Sequence, residues 1–189
     1  DNDGWLDLMV TNGHVQDNIH RFEKATYRQP TLFLRNRGGA HPSFEDATRR
    51  SGLGLLPPIV GRGLAVGDYD NDGRVDALVV DSEGRPLLLH NETPAPDKSW
   101  IGFRLIGTGR SNRDAYGAVI TVVAGGRRLV RQCQPGGSYL SSSDPRVHFG
   151  LGAAALQSVT IRWPDGRVQK LPPLTPGRYI TVTEGQTPQ

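Results

Sequence analysis

The sequence predicts an all-β protein in which the last blades of a β-propeller are followed by a β-sandwich. The 189 residues include 24 glycines and 14 prolines, which favours short strands and tight turns over long helices. An acidic turn occurs twice in the first half, and hairpin-like strand pairs fill the second half. We therefore expect the propeller part to occupy residues 1–97 and the sandwich residues 98–189, joined by a short linker at residues 93–97.

An internal repeat supports the propeller part. Residues 1–4 (Asp-Asn-Asp-Gly) recur as residues 70–73. The strand-like runs that follow are also related, residues 6–10 to 75–79 and residues 31–36 to 86–91, and further strands are expected at 43–48 and 62–68. Three or four short strands per repeat are typical of a propeller blade, and blades cannot bury their faces alone. Because the first repeat begins inside its acidic turn, we expect upstream blades and interpret the chain as a C-terminal fragment.

The second acidic turn fits the pattern D-x-D-x-D-G-x-x-D, which predicts a calcium site. Carboxylates at alternate positions of a curled loop converge, and Ca²⁺ takes six to eight oxygen ligands with tolerant geometry. The predicted ligands are the carboxylates of Asp68, Asp70, Asp72 and Asp76 and the carbonyl oxygen of Arg74. An EF-hand is excluded, because its twelfth position would be Val79 and the flanking residues alternate like strands.

The first acidic turn offers a second, less complete set of ligands. These are Asp1, Asp3, the carbonyl oxygen of Trp5, and Asp7. The residue at the first ligand position would precede Asp1, so we expect this site to be weakened or empty. The alternative is that both motifs only form turns. Four carboxylates in nine residues would then repel each other without a counter-ion, which favours the calcium interpretation. The expected role of the ion is structural.

The second half predicts a sandwich of short antiparallel strands. Gly125-Gly126 separates strand-like residues 118–124 from 127–133, which is a strong hairpin signal. Further strands are expected at 158–163 and 167–171, on either side of a Pro-Asp-Gly turn, and at 178–183. The single cysteine, Cys133, excludes an internal disulfide framework and a cysteine-based metal site, and we expect it to be buried.

Charge differs sharply between the halves. Residues 1–97 carry 10 basic and 15 acidic side chains, and residues 98–189 carry 12 basic and 4 acidic ones. The basic half suggests an alternative function as a module for anionic glycans, since arginine suits sulfate and carboxylate groups. The candidate ligand-binding residues are Arg110, Arg113, Arg127, Arg128 and Arg131. These arginines could equally solvate strand faces or pair with the acidic half.

Other classes of function find little support. Aromatic residues make up 7% of the chain and no nucleic-acid motif occurs, so no nucleic-acid partner is expected. No apolar run is long enough to insert into a membrane. A catalytic set could be imagined from Ser138, residues 141–143, Asp144 and His148, but no G-x-S-x-G elbow is present. The sequence therefore predicts a protein that is not an enzyme.

Four segments of the second half resemble the ASPIC/UnbV domain: residues 111–118, 136–141, 144–152 and 163–167. The acidic repeats resemble the FG-GAP (VCBS-type) repeats that normally precede that domain, in a family with many bacterial members. The resemblance implies an integrin-α-like, calcium-binding propeller of about seven blades when complete. It further implies an extracellular, periplasmic or cell-envelope protein that acts by adhesion or by interaction with proteins or glycans. An enzyme of unknown reaction, associated with biosynthesis, is the less favoured alternative.

Overall fold

A computed structural model describes residues 1–134 and 136–188, so Pro135 and Gln189 of the predicted sandwich segment lie outside the described residues. The structure is all-β, as predicted. Its strands are β1 (Leu8–Val10), β2 (Leu32–Asn36), β3 (Phe44–Asp46), β4 (Gly61–Gly67), β5 (Asp76–Asp81), β6 (Leu87–Leu89), β7 (Ser99–Ile106), β8 (Val119–Ala124), β9 (Arg127–Gln132), β10 (Val147–Gly152), β11 (Leu156–Arg162), β12 (Val168–Lys170) and β13 (Tyr179–Thr183).

The remaining regular elements are two single turns of 3₁₀-helix, Ile19–Arg21 and Leu53–Leu55. Within the described ranges, no helix has the length and apolar character needed to cross a membrane.

The internal repeat forms two small antiparallel sheets, with strand orders β1-β2-β3 and β4-β5-β6. Strand β1 follows the first acidic turn as β5 follows the second, and β2 corresponds to β6. The second sheet has a small apolar core around Val79, which is fully buried. These sheets are the propeller blades that the repeat predicted.

The register of β4 and β5 positions the second acidic turn. The two strands are antiparallel, and Gly67 lies opposite Asp76. The chain therefore leaves β4 and returns in β5 within a short loop, residues 68–75. This geometry places Asp68 and Asp76, at the two ends of the loop, beside each other.

Two sheets form the C-terminal sandwich, a four-stranded sheet in the order β12-β11-β8-β9 and a three-stranded sheet in the order β10-β7-β13. The predicted hairpin joins β8 to β9, and both Gly125 and Gly126 have positive φ (55° and 76°), as a tight two-residue turn requires. The core between the sheets contains the fully or almost fully buried side chains of Phe103, Phe149 and Trp163. Cys133 is buried in this core, as expected.

The predicted strands did not include β7, the central strand of the three-stranded sheet. Its buried residues Ile101, Phe103 and Leu105 alternate with Gly102 and the exposed Arg104, so the strand has a period-two pattern that was passed over. Gly102 is required here because a Cβ atom at this position would lie 2.2 Å from the ring of Tyr179 on β13.

Candidate metal centre

The β4–β5 loop brings three of the predicted carboxylates together. Oxygen atoms of Asp68, Asp70 and Asp76 all lie within 4.8 Å of one another. Asp68 and Asp76 are almost fully buried, with 1% and 3% of their surface exposed, whereas Asp70 is exposed. Two oxygens bound to one Ca²⁺ at 2.3–2.6 Å can be at most about 5.2 Å apart, so this group has the spacing that the ion requires.

Backbone N–H groups fix the two buried carboxylates. The two oxygens of Asp68 accept hydrogen bonds from the N–H groups of Asp72 (3.1 Å) and Gly73 (2.8 Å). Those of Asp76 accept from Tyr69 (3.2 Å) and Asn91 (2.8 Å). The loop is therefore curled around its own carboxylates. Asn71 has a φ of 63° and Gly73 a φ of 85°, which allow this tight curvature.

Asp72, a further predicted ligand, is paired with a side chain of the same loop. Asp72 forms an ion pair with the Arg74 side chain, and one of its oxygens accepts the Arg74 N–H (2.8 Å). The Arg74 guanidinium also donates to the carbonyl oxygen of Asn91 (2.6 Å). Asp72 belongs to a second, overlapping group, in which ligand atoms of Asp70, Asp72 and His90 lie within 4.8 Å of one another.

His90 is a residue of the site that the sequence analysis missed. Its Nδ1 atom lies 3.2 Å from Asp76 Oδ1 and 3.9 Å from Asp70 Oδ2. The internal repeat contained a signal for it, because His90 precedes Asn91 as Arg35 precedes Asn36. Each asparagine donates its backbone N–H to the last aspartate of its loop, Asp76 or Asp7. The residue before each asparagine, Arg35 or His90, therefore lies beside the acidic turn of the same repeat.

In the first acidic turn, cationic side chains from outside the turn pair with its carboxylates. Asp1 forms ion pairs with Arg35 (2.9 Å) and Lys98 (3.1 Å), and Arg35 also lies 3.8 Å from Asp3. The backbone N–H of Asn36 donates to Asp7. Among the described residues, no group with metal-ligand spacing occurs in this turn. A weak or empty site here stays a prediction, and these ion pairs supply a physical reason for it.

The β4–β5 loop also contacts the sandwich through Arg146. This side chain donates to the carbonyl oxygen of Asp68 (2.6 Å) and to the side chain of Asn71. It is held by Asp144, which accepts from Arg146 Nε (2.7 Å), and by the ring of Tyr179, whose centroid lies 3.9 Å away. Arg146 therefore links the β4–β5 loop to residues of the sandwich.

His148 is enclosed between both acidic turns and the sandwich. Asn2 donates its side-chain N–H to the carbonyl oxygen of Gly73, which leaves the Asn2 Oδ1 atom to accept from His148 Nε2–H (2.8 Å). The Trp100 ring stacks on His148 with centroids 5.3 Å apart. Burial is the main reason that the pKa of His148 falls from 6.5 to about 4. The Asp68 carboxylate opposes this shift, and the charges of Arg131 and Arg146 add to it.

The low pKa of His148 predicts a loss of stability in acid. Between pH 6.5 and pH 4 the unfolded chain binds a proton at this residue and the folded chain does not, so the free energy of unfolding falls as pH falls, by about 3 kcal/mol in all. Urea denaturation across this range should show the fall, and it should be clearly smaller in His148→Gln. Matching His41→Gln, at an exposed position, should leave the slope unchanged. Equal slopes for all three proteins would contradict the buried, neutral state of His148.

The serine-rich segment covers the free edge of the second blade. The Ser141 and Ser143 hydroxyls accept hydrogen bonds from the N–H groups of Leu64 (2.8 Å) and Val66 (3.2 Å) on β4. Asp144 N–H donates back to the Val66 carbonyl oxygen (2.9 Å). Edge strands need such cover against pairing with other chains. The segment thus has a structural role. The contacts described above for Asp144 and His148 are made with residues other than Ser141 and Ser143.

The candidate ligand-binding arginines lie in different parts of the sandwich. Arg127 and Arg131 line one groove together with Arg128 on β9. Arg113 is exposed and pairs with the adjacent Asp114 (3.1 Å). The structure gives no contact that brings Arg110 to the β9 arginines, and a single surface made of all five stays a prediction.

Comparisons with known proteins agree with the fold and its two parts. Residues 1–79 match the FG-GAP-like repeat family, and residues 107–189 match the family described as ASPIC and UnbV. Cartilage acidic protein 1 of Xenopus tropicalis is 30% identical over 155 residues, which cover 78% of this chain and 23% of that protein. Human cartilage acidic protein 1 is 31% identical over 121 residues, covering 62% of this chain and 18% of that protein. The chain thus spans about a quarter or less of these relatives. It is a protein of the FG-GAP-repeat and ASPIC/UnbV type, as its motifs indicated.

Proposed function

We propose that this chain is part of an extracellular, calcium-stabilised protein that acts by non-covalent interaction with partners and not by catalysis. One observation carries the calcium part, the convergence of Asp68, Asp70 and Asp76 within 4.8 Å. FG-GAP-like repeats commonly bind Ca²⁺, and cartilage acidic protein relatives support the extracellular interaction role. The two blades and the sandwich would then form a scaffold held in shape by the ion.

The donor chemistry of this group favours calcium. Asp68, Asp70 and Asp76 would hold the ion through carboxylate oxygens, which are the hard ligands that Ca²⁺ prefers. Mg²⁺ demands a nearly ideal octahedron and loses its water reluctantly, so an irregular loop of this kind suits it less. The nitrogen of His90 suits transition metals better than calcium, and we assign it a supporting contact to Asp76.

Electrostatics explains why an ion would stabilise the fold. Two negative charges about 4.8 Å apart repel by about 3 kcal/mol at an effective dielectric constant near 20. Asp76 has His90 beside it, but within the described part of the chain no cationic side chain forms an ion pair with the Asp68 carboxylate. Buried charges are usually paired or bound to metals. A bound divalent cation would remove the repulsion and join both ends of the loop.

Thermal melting tests this role. Extracellular calcium modules bind at roughly 10⁻⁴–10⁻³ M, so about 10 mM calcium should add about 1–3 kcal/mol to the free energy of unfolding. That corresponds to a rise in Tm of roughly 3–10 °C over a sample with chelator. Magnesium at the same concentration should raise Tm less. Asp70→Asn should clearly reduce the rise, because it removes a negative charge common to both ligand groups while keeping an oxygen that can accept from Asp72 N–H.

The matched control is Asp1→Asn, which changes the equivalent residue of the first turn. Asp1 is already paired with Arg35 and Lys98, so the calcium-dependent rise should persist in this variant. A rise of undiminished size in Asp70→Asn would place the ion elsewhere. No rise in the wild type would refute the calcium part of the proposal.

A further inference from the structure

A groove of about 420 Å³ lies between the first acidic turn and the sandwich. One wall consists of Gly4, Trp5 and Leu6, and the other of residues 127–131, which are five successive positions of β9. The groove therefore runs along a strand, for about 16 Å at the usual rise per residue. Trp5 and Leu6 expose 38% and 60% of their surface, which is unusual for large apolar side chains next to each other.

The charges in this groove are not balanced by the chain itself. Arg127 stacks on the Trp5 ring at 4.1 Å and donates to the carbonyl oxygens of Asp3 (3.3 Å) and Gly4 (3.2 Å). Arg131 donates to the carbonyl oxygen of Val130 (3.0 Å). These acceptors are neutral, and none of the ion pairs formed by the described residues includes an arginine of β9.

Arg131 also has a buried donor with no acceptor. Its Nε atom is shielded from solvent and lacks a hydrogen-bond partner. Burial, together with the charge of Arg127, lowers the pKa of Arg131. The surroundings therefore disfavour the charged form of this side chain, and its unpaired donor adds to the unfavourable free energy. An anion bound in the groove would supply the missing counter-charge.

The backbone of β9 offers a second kind of contact. β9 is the last strand of its sheet, with β8 on its other side. Cys133 N–H donates to the Ala118 carbonyl oxygen, so the odd-numbered residues of β9 face β8 in this antiparallel ladder. The N–H groups of Arg128 and Val130 and the carbonyl oxygen of Arg128 consequently point to the free edge, where the Val130 carbonyl oxygen already accepts from the Arg131 side chain.

We propose that this groove binds an extended acidic peptide segment of a partner protein, which pairs with the edge of β9 and places a carboxylate on Arg131. An added strand forms hydrogen bonds with the exposed backbone groups of every second residue at a sheet edge. An arginine side chain binds a carboxylate through two parallel hydrogen bonds. Arg127 and Arg131 share one face of β9, so acidic side chains four residues apart would reach both. A sulfated glycan could neutralise the arginines but has no backbone to pair with the strand.

This inference rests on the interaction role in the proposed function and is independent of its calcium part. The test is calorimetric titration of the 189-residue chain with a short peptide in which Glu alternates with Thr, in calcium and again in chelator. Binding is expected in both, and the same peptide with Gln in place of Glu should bind at least about tenfold more weakly. Failure of the calcium site would appear only in the melting experiment above.

Arg131→Met separates binding from stability. The substitution removes a buried, unsatisfied donor, so Tm should stay the same or rise while peptide affinity falls by at least about tenfold. Arg162→Met, at an exposed position on β11, should change neither quantity. No peptide binding by the wild type, or equal affinity in Arg131→Met, would overturn the proposal. Binding of a heparin-derived oligosaccharide, dependent on Arg131 and without peptide binding, would assign the groove to glycans instead.

Discussion

Replacing Gly73 with alanine is expected to lower the free energy of unfolding by about 4 kcal/mol. Gly73 has a φ of 85°, where an L side chain costs about 1–3 kcal/mol. A Cβ atom here would also lie 1.9 Å from Trp100 Nε1. The Trp100 ring cannot move aside freely, because it stacks on His148 and packs against Tyr179 at 5.0 Å. Forced overpacking of this kind adds about 1–3 kcal/mol.

Gly52→Ala is the matched control for this variant. Gly52 has nearly the same backbone angle, with a φ of 83°, but a Cβ atom there meets nothing within 4 Å. It should therefore show only the conformational cost, about 1–2 kcal/mol. Urea denaturation of both variants measures the difference. If the two losses were equal, the close contact between the acidic loop and Trp100 would be disproved.

Phe103→Ala should lower the free energy of unfolding by about 3–5 kcal/mol, since truncating a buried phenylalanine removes apolar contact and leaves a cavity. Phe103 is fully buried on the central strand β7 and makes an edge-to-face contact with Phe149 across a centroid distance of 6.0 Å. The measurement is again the urea midpoint and slope.

Phe22→Ala gives the corresponding exposed truncation. Phe22 exposes 70% of its surface, and its loss should change the free energy of unfolding by less than about 0.5 kcal/mol. A loss below about 1 kcal/mol in Phe103→Ala would mean that the two sheets of the sandwich do not enclose this side chain.

Much of the fold follows from local sequence signals. The repeated Asp-Asn-Asp-Gly turn marks the two blades, and Gly125-Gly126 marks the β8–β9 hairpin, because each turn demands particular residues. The strand β7 was missed although Ile101, Phe103 and Leu105 alternate with Gly102 and Arg104, because its partners β10 and β13 are distant in sequence and no hairpin turn marks it. The need for glycine at position 102 comes from the ring of Tyr179, a residue distant in sequence that leaves no space for a Cβ atom.

The candidate site was predictable only within the loop itself. Asp68, Asp70 and Asp76 follow a pattern whose spacing is local, and these three converge. Contributions from other strands were not visible in that pattern. His90 directly follows β6, and Arg146 comes from the sandwich and donates to the carbonyl oxygen of Asp68. Long-range contacts of this kind depend on how sheets pack, and no short spacing encodes them.

The measurement that tests the central claim most directly is a calorimetric calcium titration of the wild type, Asp70→Asn and Asp1→Asn. The account predicts about one ion per chain in the wild type and in Asp1→Asn, with a dissociation constant of roughly 10⁻⁴–10⁻³ M, and binding at least about tenfold weaker in Asp70→Asn. Absence of binding in the wild type, or full binding in Asp70→Asn, would contradict a calcium site in the β4–β5 loop.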